Sequence, residues 1–341
     1  MSKRIVFFNH KGGVSKTTSV YNLGWMLSRN YRVLVVDGDP QCNLSSLILG
    51  DSFEQYYSED NTKKQNIKDG VEVAFKGKPQ PITAVECTTP VRAPNLYLLA
   101  GHANLSEYEA SLTFAQTSGN ALTTLQNLPG AFSELIRLTE ERYNIDYTLI
   151  DLNPGLSSIN QNLFLCSDAF IIPTNPDPFS IMAIDTLKQV LPRWMDWKKS
   201  NFSFFEDSAY PLRESQTNFV GMLIQRFNVR NGKAARPYRD NIAEIKRKVA
   251  EDLIPSLTNI GMTFEEYPQE LMEDGYCLAE IPDFQGLLPK SYAAEVPVFA
   301  LRDEEIGETG PVFEQMSSNR DRFHLQFEEL AEKVVRTLEN V

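Results

Sequence analysis

A chain of 341 residues, 42% hydrophobic and 23% charged, has the make-up of a globular protein, long enough for one α/β domain with insertions or for two domains. Its 33 basic and 45 acidic residues, a formal net charge of −12, argue against a surface built throughout for phosphate backbones, and no apolar run reaches the roughly 18–20 residues of a membrane span. Cys42, Cys87, Cys166 and Cys277 form no C-x-x-C pair, and His10, His102 and His324 lack ligand spacing, so free thiols in a reducing cytoplasm and no structural zinc are expected.

Short apolar runs alternate with helical patterns along the chain. Strands are expected at 5–8, 33–36, 96–99, 147–150, 169–172 and 219–224. The first run is too short for a signal peptide and enters a glycine-rich loop, as a buried strand would. A helix should follow from Lys16 to about Ser28, with Val20, Leu23 and Leu27 on its buried stripe. Residues 51–80 are polar and read as a solvated insertion. A second insertion is expected at 192–217, where Trp194, Trp197, Phe202, Phe204, Phe205 and Tyr210 sit among polar residues. Near the end, Phe323, Phe327, Leu330, Val334 and Leu338 make one helical stripe over 319–340, opposite Glu328, Glu329, Glu332 and Lys333. The pattern predicts a doubly wound, mainly parallel sheet with helices on both faces, in one domain spanning 1–341. Several strands end in Asn9, Asp37, Asp151, Pro173 or Gln225, and in such a sheet those carboxyl ends share one ligand-binding edge.

The strongest motif is Lys11-Gly12-Gly13-Val14-Ser15-Lys16-Thr17-Thr18, between a strand and a helix. Such a loop turns its backbone N–H groups toward phosphate oxygens, and the helix N-terminus adds positive potential. Gly12, Gly13, Val14, Ser15 and Thr18 would form the cradle. Lys16 would reach the β- and γ-phosphates of ATP, and Thr17 would ligate Mg²⁺. His10 and Ser15 stand where the ordinary pattern has glycine. Tyr147-Thr148-Leu149-Ile150-Asp151 is a strand ending in an acid that would bind Mg²⁺ through water.

The loop instead fits K-G-G-x-x-K-[ST], and Asp37-Gly38-Asp39-Pro40-Gln41-Cys42-Asn43 fits D-x-D-P-Q-x-N. By these motifs the chain resembles the ParA/MinD family of deviant Walker A ATPases. The resemblance implies that Lys11 reaches the partner's phosphates across an ATP-sandwiched homodimer. It implies that Asp39 positions the attacking water and that Asp37 supports Mg²⁺ hydration or the loop lysine. Asn153 and Gly155 correspond loosely to the γ-phosphate side, residues 171–180 to a partner-facing strand and loop, and Gln225 and Pro282 to adenine contacts. The implied activity is a slow, Mg²⁺-dependent ATPase working as a dimerisation switch, accelerated by an activating partner protein. An iron-protein reductase would need paired cysteines, and a P-loop ligase or phosphotransferase would not need Lys11 with the Asp37/Asp39 pair. A membrane-seated C-terminal helix is disfavoured because its polar face is acidic. Arg226, Arg230, Lys233, Arg236 and Arg239 leave two readings open: contact with DNA or an acidic partner, or pairing with nearby carboxylates. The function is correspondingly either partition on DNA or control of an effector or protein cargo without it.

Overall fold

The computed structural model describes residues 2–117, 125–230 and 233–339. In chain order its strands are β1 (Lys3–Phe7), β2 (Val33–Gly38), β3 (Leu96–Leu99), β4 (Tyr147–Leu152), β5 (Ala169–Thr174), β6 (Asn218–Gln225), β7 (Val229–Arg230), β8 (Lys233–Ala234) and β9 (Cys277–Ile281). Seven form one sheet in the order β3-β2-β4-β1-β5-β6-β9, with every pair parallel. β7 and β8 form a separate antiparallel hairpin.

Parallel strands covered on both faces read as continuous apolar runs because alternate side chains enter different cores. Val6, Val36, Ile150 and Phe170 face one core, and Ile5, Val35, Leu149 and Ile171 the other. From β1 the chain moves outward through β2 and β3, returns to β4, and crosses to β5 on β1's far side. The strand order therefore reverses at β1, and the crevice at its carboxyl end is where doubly wound sheets take ligands.

Helix α1 (Lys16–Leu27) lies directly on the sheet. Gly24 allows that approach: a Cβ there would sit 2.9 Å from Val35 Cγ1. The C-terminal helix runs Gly310–Leu338, beginning nine residues before the expected 319 because Pro311 starts its first turn. Phe323, Phe327, Leu330, Val334 and Leu338 are buried against α1 and β9, while Glu328, Glu329 and Glu332 remain exposed.

Three expectations need correction. The helix Pro178–Phe205 runs without a break through Pro192, so the first half of the 192–217 stretch is core helix, not insertion. Trp194 and Phe205 are buried, and Trp197 Nε1 donates to the Gln116 carbonyl at 2.7 Å. Within 51–80, Tyr56, Ile67 and Val71 are buried and Ile67 N bonds the Ala100 carbonyl, so the segment packs beside β3 despite its polar composition. β9 lies outside the expected strands: its five residues, Cys277–Ile281, are a short apolar run interrupted by Glu280, and their pairing with β6 settles their conformation.

Two buried cations anchor the sheet's amino end. Arg4, fully buried, donates from Nε and Nη2 to the two oxygens of Glu140, both at 2.8 Å, and from Nη1 to Ser133 Oγ at 2.8 Å. Lys198 Nζ donates to the Leu165 and Ser215 carbonyls, each at 2.6 Å, and burial pushes its ammonium down to about 8.

Candidate functional site

The chain leaves β1 through Phe8 and Asn9. The Asn9 side chain accepts from Lys11 N at 3.0 Å and donates to the Pro173 carbonyl at 2.9 Å, tying the loop to β5. Gly13 lies at φ +72°, and Ser15, at φ +62°, takes the left-handed turn that opens α1. That geometry explains why the ordinary motif has glycine there. No side chain caps α1 at Ser15, so its first-turn amides are left to a ligand. Lys16 is buried and curls back, with Nζ donating to the Asn9 carbonyl at 3.0 Å and the Lys11 carbonyl at 3.2 Å. Burial pulls its pKa down while Asp151 and Asp39 oppose the shift.

Asp37 and Asp151 are register partners in β2 and β4. Asp37 Oδ2 accepts from Ser45 N at 2.8 Å and Ser45 Oγ at 2.7 Å, and Oδ1 accepts from Asp39 N at 3.2 Å. It therefore fixes the start of α2 (Asn43–Leu49). Burial raises it to about 6 against those bonds. Asp151 is fully buried, and neither oxygen has a hydrogen-bond partner. Burial, then Asp37, drive its pKa well up, while the Thr17 hydroxyl and Lys16 pull it down. An orphaned carboxylate near a threonine hydroxyl fits a hydrated Mg²⁺, a hard ion that keeps several waters and takes one or two carboxylates plus phosphate. Among the described residues, no cluster of three or more His, Cys, Asp or Glu is arranged to hold a metal unaided.

Above these acids opens a cavity of about 690 Å³. Its walls include Gly12, Gly13, Val14, Ser15, Lys16, Thr17 and Thr18, with Asp39, Gln225 and Pro282. Asp39 is 7% exposed there, held by an Oδ1 bond from Gln41 N at 2.9 Å. Pro154 packs against Gly12, and Asn160 Nδ2 braces the following loop through Asn153 Oδ1 at 2.8 Å and the Gly155 carbonyl at 3.1 Å.

Lys11 points elsewhere. Its Nζ lies 2.5 Å from Asp177 Oδ2 and 2.9 Å from Ser180 Oγ. Asp177 also caps the Pro178–Phe205 helix, accepting from Ser180 N at 2.8 Å. Burial would raise the Asp177 pKa, but Lys11 and Ser180 outweigh it and hold the carboxylate below its ordinary value. Gly13's carbonyl accepts from Asn175 Nδ2 at 3.0 Å and Arg226 Nη1 at 3.1 Å.

The structure thus gathers Lys16, Thr17, Asp39, Asp151 and the cradle amides at one edge, with Asp37 beneath them. Gln225 is almost fully buried, and its Nε2 bonds Ser19 Oγ at 2.6 Å, which leaves it a poor base contact. Arg226, beside it, is exposed in the cavity wall. In the sequence Arg226 heads a basic stretch and directly follows Gln225, at the place the resemblance gives to an adenine contact, and its left-handed φ of +60° has no local sequence signal. In that stretch the side chains of Arg230 and Lys233 lie outside the described residues, as do Asn231 and Gly232. Arg236 and Arg239 are exposed. Farther along the same helix, Lys246, Arg247 and Lys248 are each paired with carboxylates.

A family model described as AAA domain matches residues 2–204. The chain belongs to this family, as a ParA/MinD-like P-loop ATPase. It is 30% identical over 195 residues to the chromosome-partitioning ATPase Soj of Treponema pallidum, covering 57% of this chain and 65% of Soj. The chain spans between 54% and 65% of the length of the first curated relatives it matches. Its fold is similar to the ATP complex of a Cyanothece McdA variant, with TM-score 0.59 and 16% identity over 99% of this chain and 96% of that one. It is also similar to pNOB8 ParA bound to nonspecific DNA, with TM-score 0.54 and 16% identity over 100% and 99% of the two chains. These two likenesses concern the fold of this ParA/MinD-like ATPase. Among its described residues no helix is long and apolar enough to cross a membrane.

Proposed function

We propose that the protein is an ATP-dependent dimerisation switch that hydrolyses ATP slowly, in the manner of partition ATPases, and works in the cytoplasm. The observation that carries this reading is the placement of Lys11. It sits on an exposed rim beside the cavity, while Lys16, Thr17 and Asp39 already furnish the same-chain contacts. Around it, Phe179 is 72% exposed, Met182 64% and Leu156 45%, an apolar rim of the kind a second copy would cover. Closing two such rims would bury the apolar side chains and bring each Lys11 to the other subunit's nucleotide.

In that arrangement the loop amides and Lys16 hold the β- and γ-phosphates, and Lys16 neutralises charge as the terminal phosphoryl group leaves. Thr17 and Asp151, with Asp37 behind them, would hold Mg²⁺, which neutralises phosphate charge when bound. Asp39 orients the attacking water, and Lys11 supplies the trans cation. Positioning and charge neutralisation are nearly all that phosphoryl transfer demands. Turnover is slow while Lys11 stays bonded to Asp177, which gives an activating partner protein something to change.

Sedimentation with ADP, with ATP and of Asp39→Ala in ATP tests the switch. Dimers with ATP that persist in the variant are expected, and a monomer in all three conditions overturns the mechanism. A second reading, control of an effector or cargo without DNA, is favoured by the carboxylate pairing of Lys246, Arg247 and Lys248, beside which the exposed described residues of the patch are Arg226, Arg236 and Arg239. Retardation of duplex DNA by the ATP form at low salt would favour partition, and its absence would favour the second reading.

A further inference from the structure

The cavity has two chemically different ends. At one lie the loop amides and Lys16, and at the other the lining includes Pro282, Asp283, Phe284, Leu288 and Tyr292. Arg226 spans both. Its backbone N donates to the Ile281 carbonyl at 3.2 Å, and Asp283 N bonds the Phe227 carbonyl at 3.1 Å, which sets Arg226 beside Pro282. Its guanidinium reaches the phosphate loop at the Gly13 carbonyl, 3.1 Å away. Arg226 forms no ion pair with a carboxylate among the described residues, unlike Arg92, Arg137, Arg213, Arg247 and Arg320. Its left-handed backbone, φ +60°, is a conformation that a side chain with a Cβ enters at a cost and that persists where the surroundings enforce it.

We propose that Arg226 is the specificity-determining platform for the nucleotide base, and that its bond to Gly13 couples base occupancy to the phosphate loop. The inference rests on the ATP-binding reading above. A planar guanidinium stacks on the face of a heterocycle and gains cation–π attraction, more with a purine than with the smaller pyrimidine ring. Gln225, bonded to Ser19, supplies no comparable group. Because the stacked guanidinium also holds Gly13, a nucleotide with a base fixes the loop that carries Lys11, whereas a bare polyphosphate does not.

The test is calorimetric binding of ADP, UDP and inorganic tripolyphosphate to the full chain and to Arg226→Ala and Arg226→Lys, with ATPase rates alongside. Arg226→Ala should weaken ADP about tenfold, leave tripolyphosphate within about twofold, and lower the preference for ADP over UDP. KM for ATP should rise, and kcat should fall as well, because the loop that carries Lys11 loses its tie through Gly13. Arg226→Lys should recover less than half of the loss, since an ammonium lacks the plane. An equal loss for ADP and tripolyphosphate would make Arg226 a phosphate contact and overturn the proposal, as would unchanged ADP binding. Failure of the unmodified chain to bind ADP or ATP would instead sink the ATP-binding reading itself.

Discussion

Asp177→Asn separates two functions that share one carboxylate. As the cap of the Pro178–Phe205 helix it accepts from Ser180 N, and asparagine caps equally well. As the partner of Lys11 it supplies a charge that asparagine lacks. Lys11 and Asp177 are 23% and 34% exposed, between the surface pairs worth about 0–1 kcal/mol and charged hydrogen bonds worth about 1.5–3 kcal/mol. An intermediate value of about 1–1.5 kcal/mol for each latch is reasonable. Two latches open when two subunits close, so the variant should favour the ATP dimer by about 2–3 kcal/mol, roughly 30–150-fold in association constant. Sedimentation velocity at subsaturating protein in ATP reads this directly, and the ADP form should stay monomeric. The unfolding free energy of the monomer should fall by no more than the latch itself, about 1–1.5 kcal/mol, because the cap survives. Association constants for variant and parent that agree within about twofold, or a weaker variant dimer, would refute the claim that Asp177 restrains Lys11.

Glu140→Ala strands Arg4 in the core without its carboxylate and should cost about 3–5 kcal/mol of unfolding free energy, read as a lower urea midpoint. A shift below about 1 kcal/mol would mean that Ser133 and solvent satisfy the guanidinium. Lys198→Met tests a buried charge through pH. The Lys198 pKa is depressed to about 8 from 10.5, so between those values the unfolded chain binds more protons and this residue makes stability rise with pH. Below about pH 8 it is a constant penalty, at most about 3 kcal/mol. The difference in stability between variant and parent should therefore shrink between pH 8 and 10, and a pH-independent difference would remove the titration from the account.

The parts legible in the sequence were those that write their own conformation locally. Runs such as Val33-Leu34-Val35-Val36 are buried on both faces and look it, and the lysine–glycine loop between strand and helix marks its own turn. Asp37, Asp39 and Asp151 were readable because each terminates such a run. What stayed hidden depends on neighbours remote in the chain. Ile67 and Val71 sit in a charged segment and are buried only because β3 and its helices enclose them. β9 exists because β6 offers an edge, and Pro192 is tolerated because the long helix is held by packing on both sides. Arg226 looks like one of several cations until its guanidinium is seen against Gly13, more than two hundred residues away in sequence.

The sheet has a consequence for how this protein can communicate. Both of its faces are clad in helices, and β1, β2, β4, β5, β6 and β9 all deliver their exits to one rim: the lysine loop, Asp39, Pro154, Asp177, Arg226 and Pro282. A molecule docking on that rim touches the very segments that surround the nucleotide. No signal has to travel through the core for such a visitor to sense which phosphates are present. The same crowding lets a visitor intervene, since displacing one side chain at the rim changes what its neighbours hold.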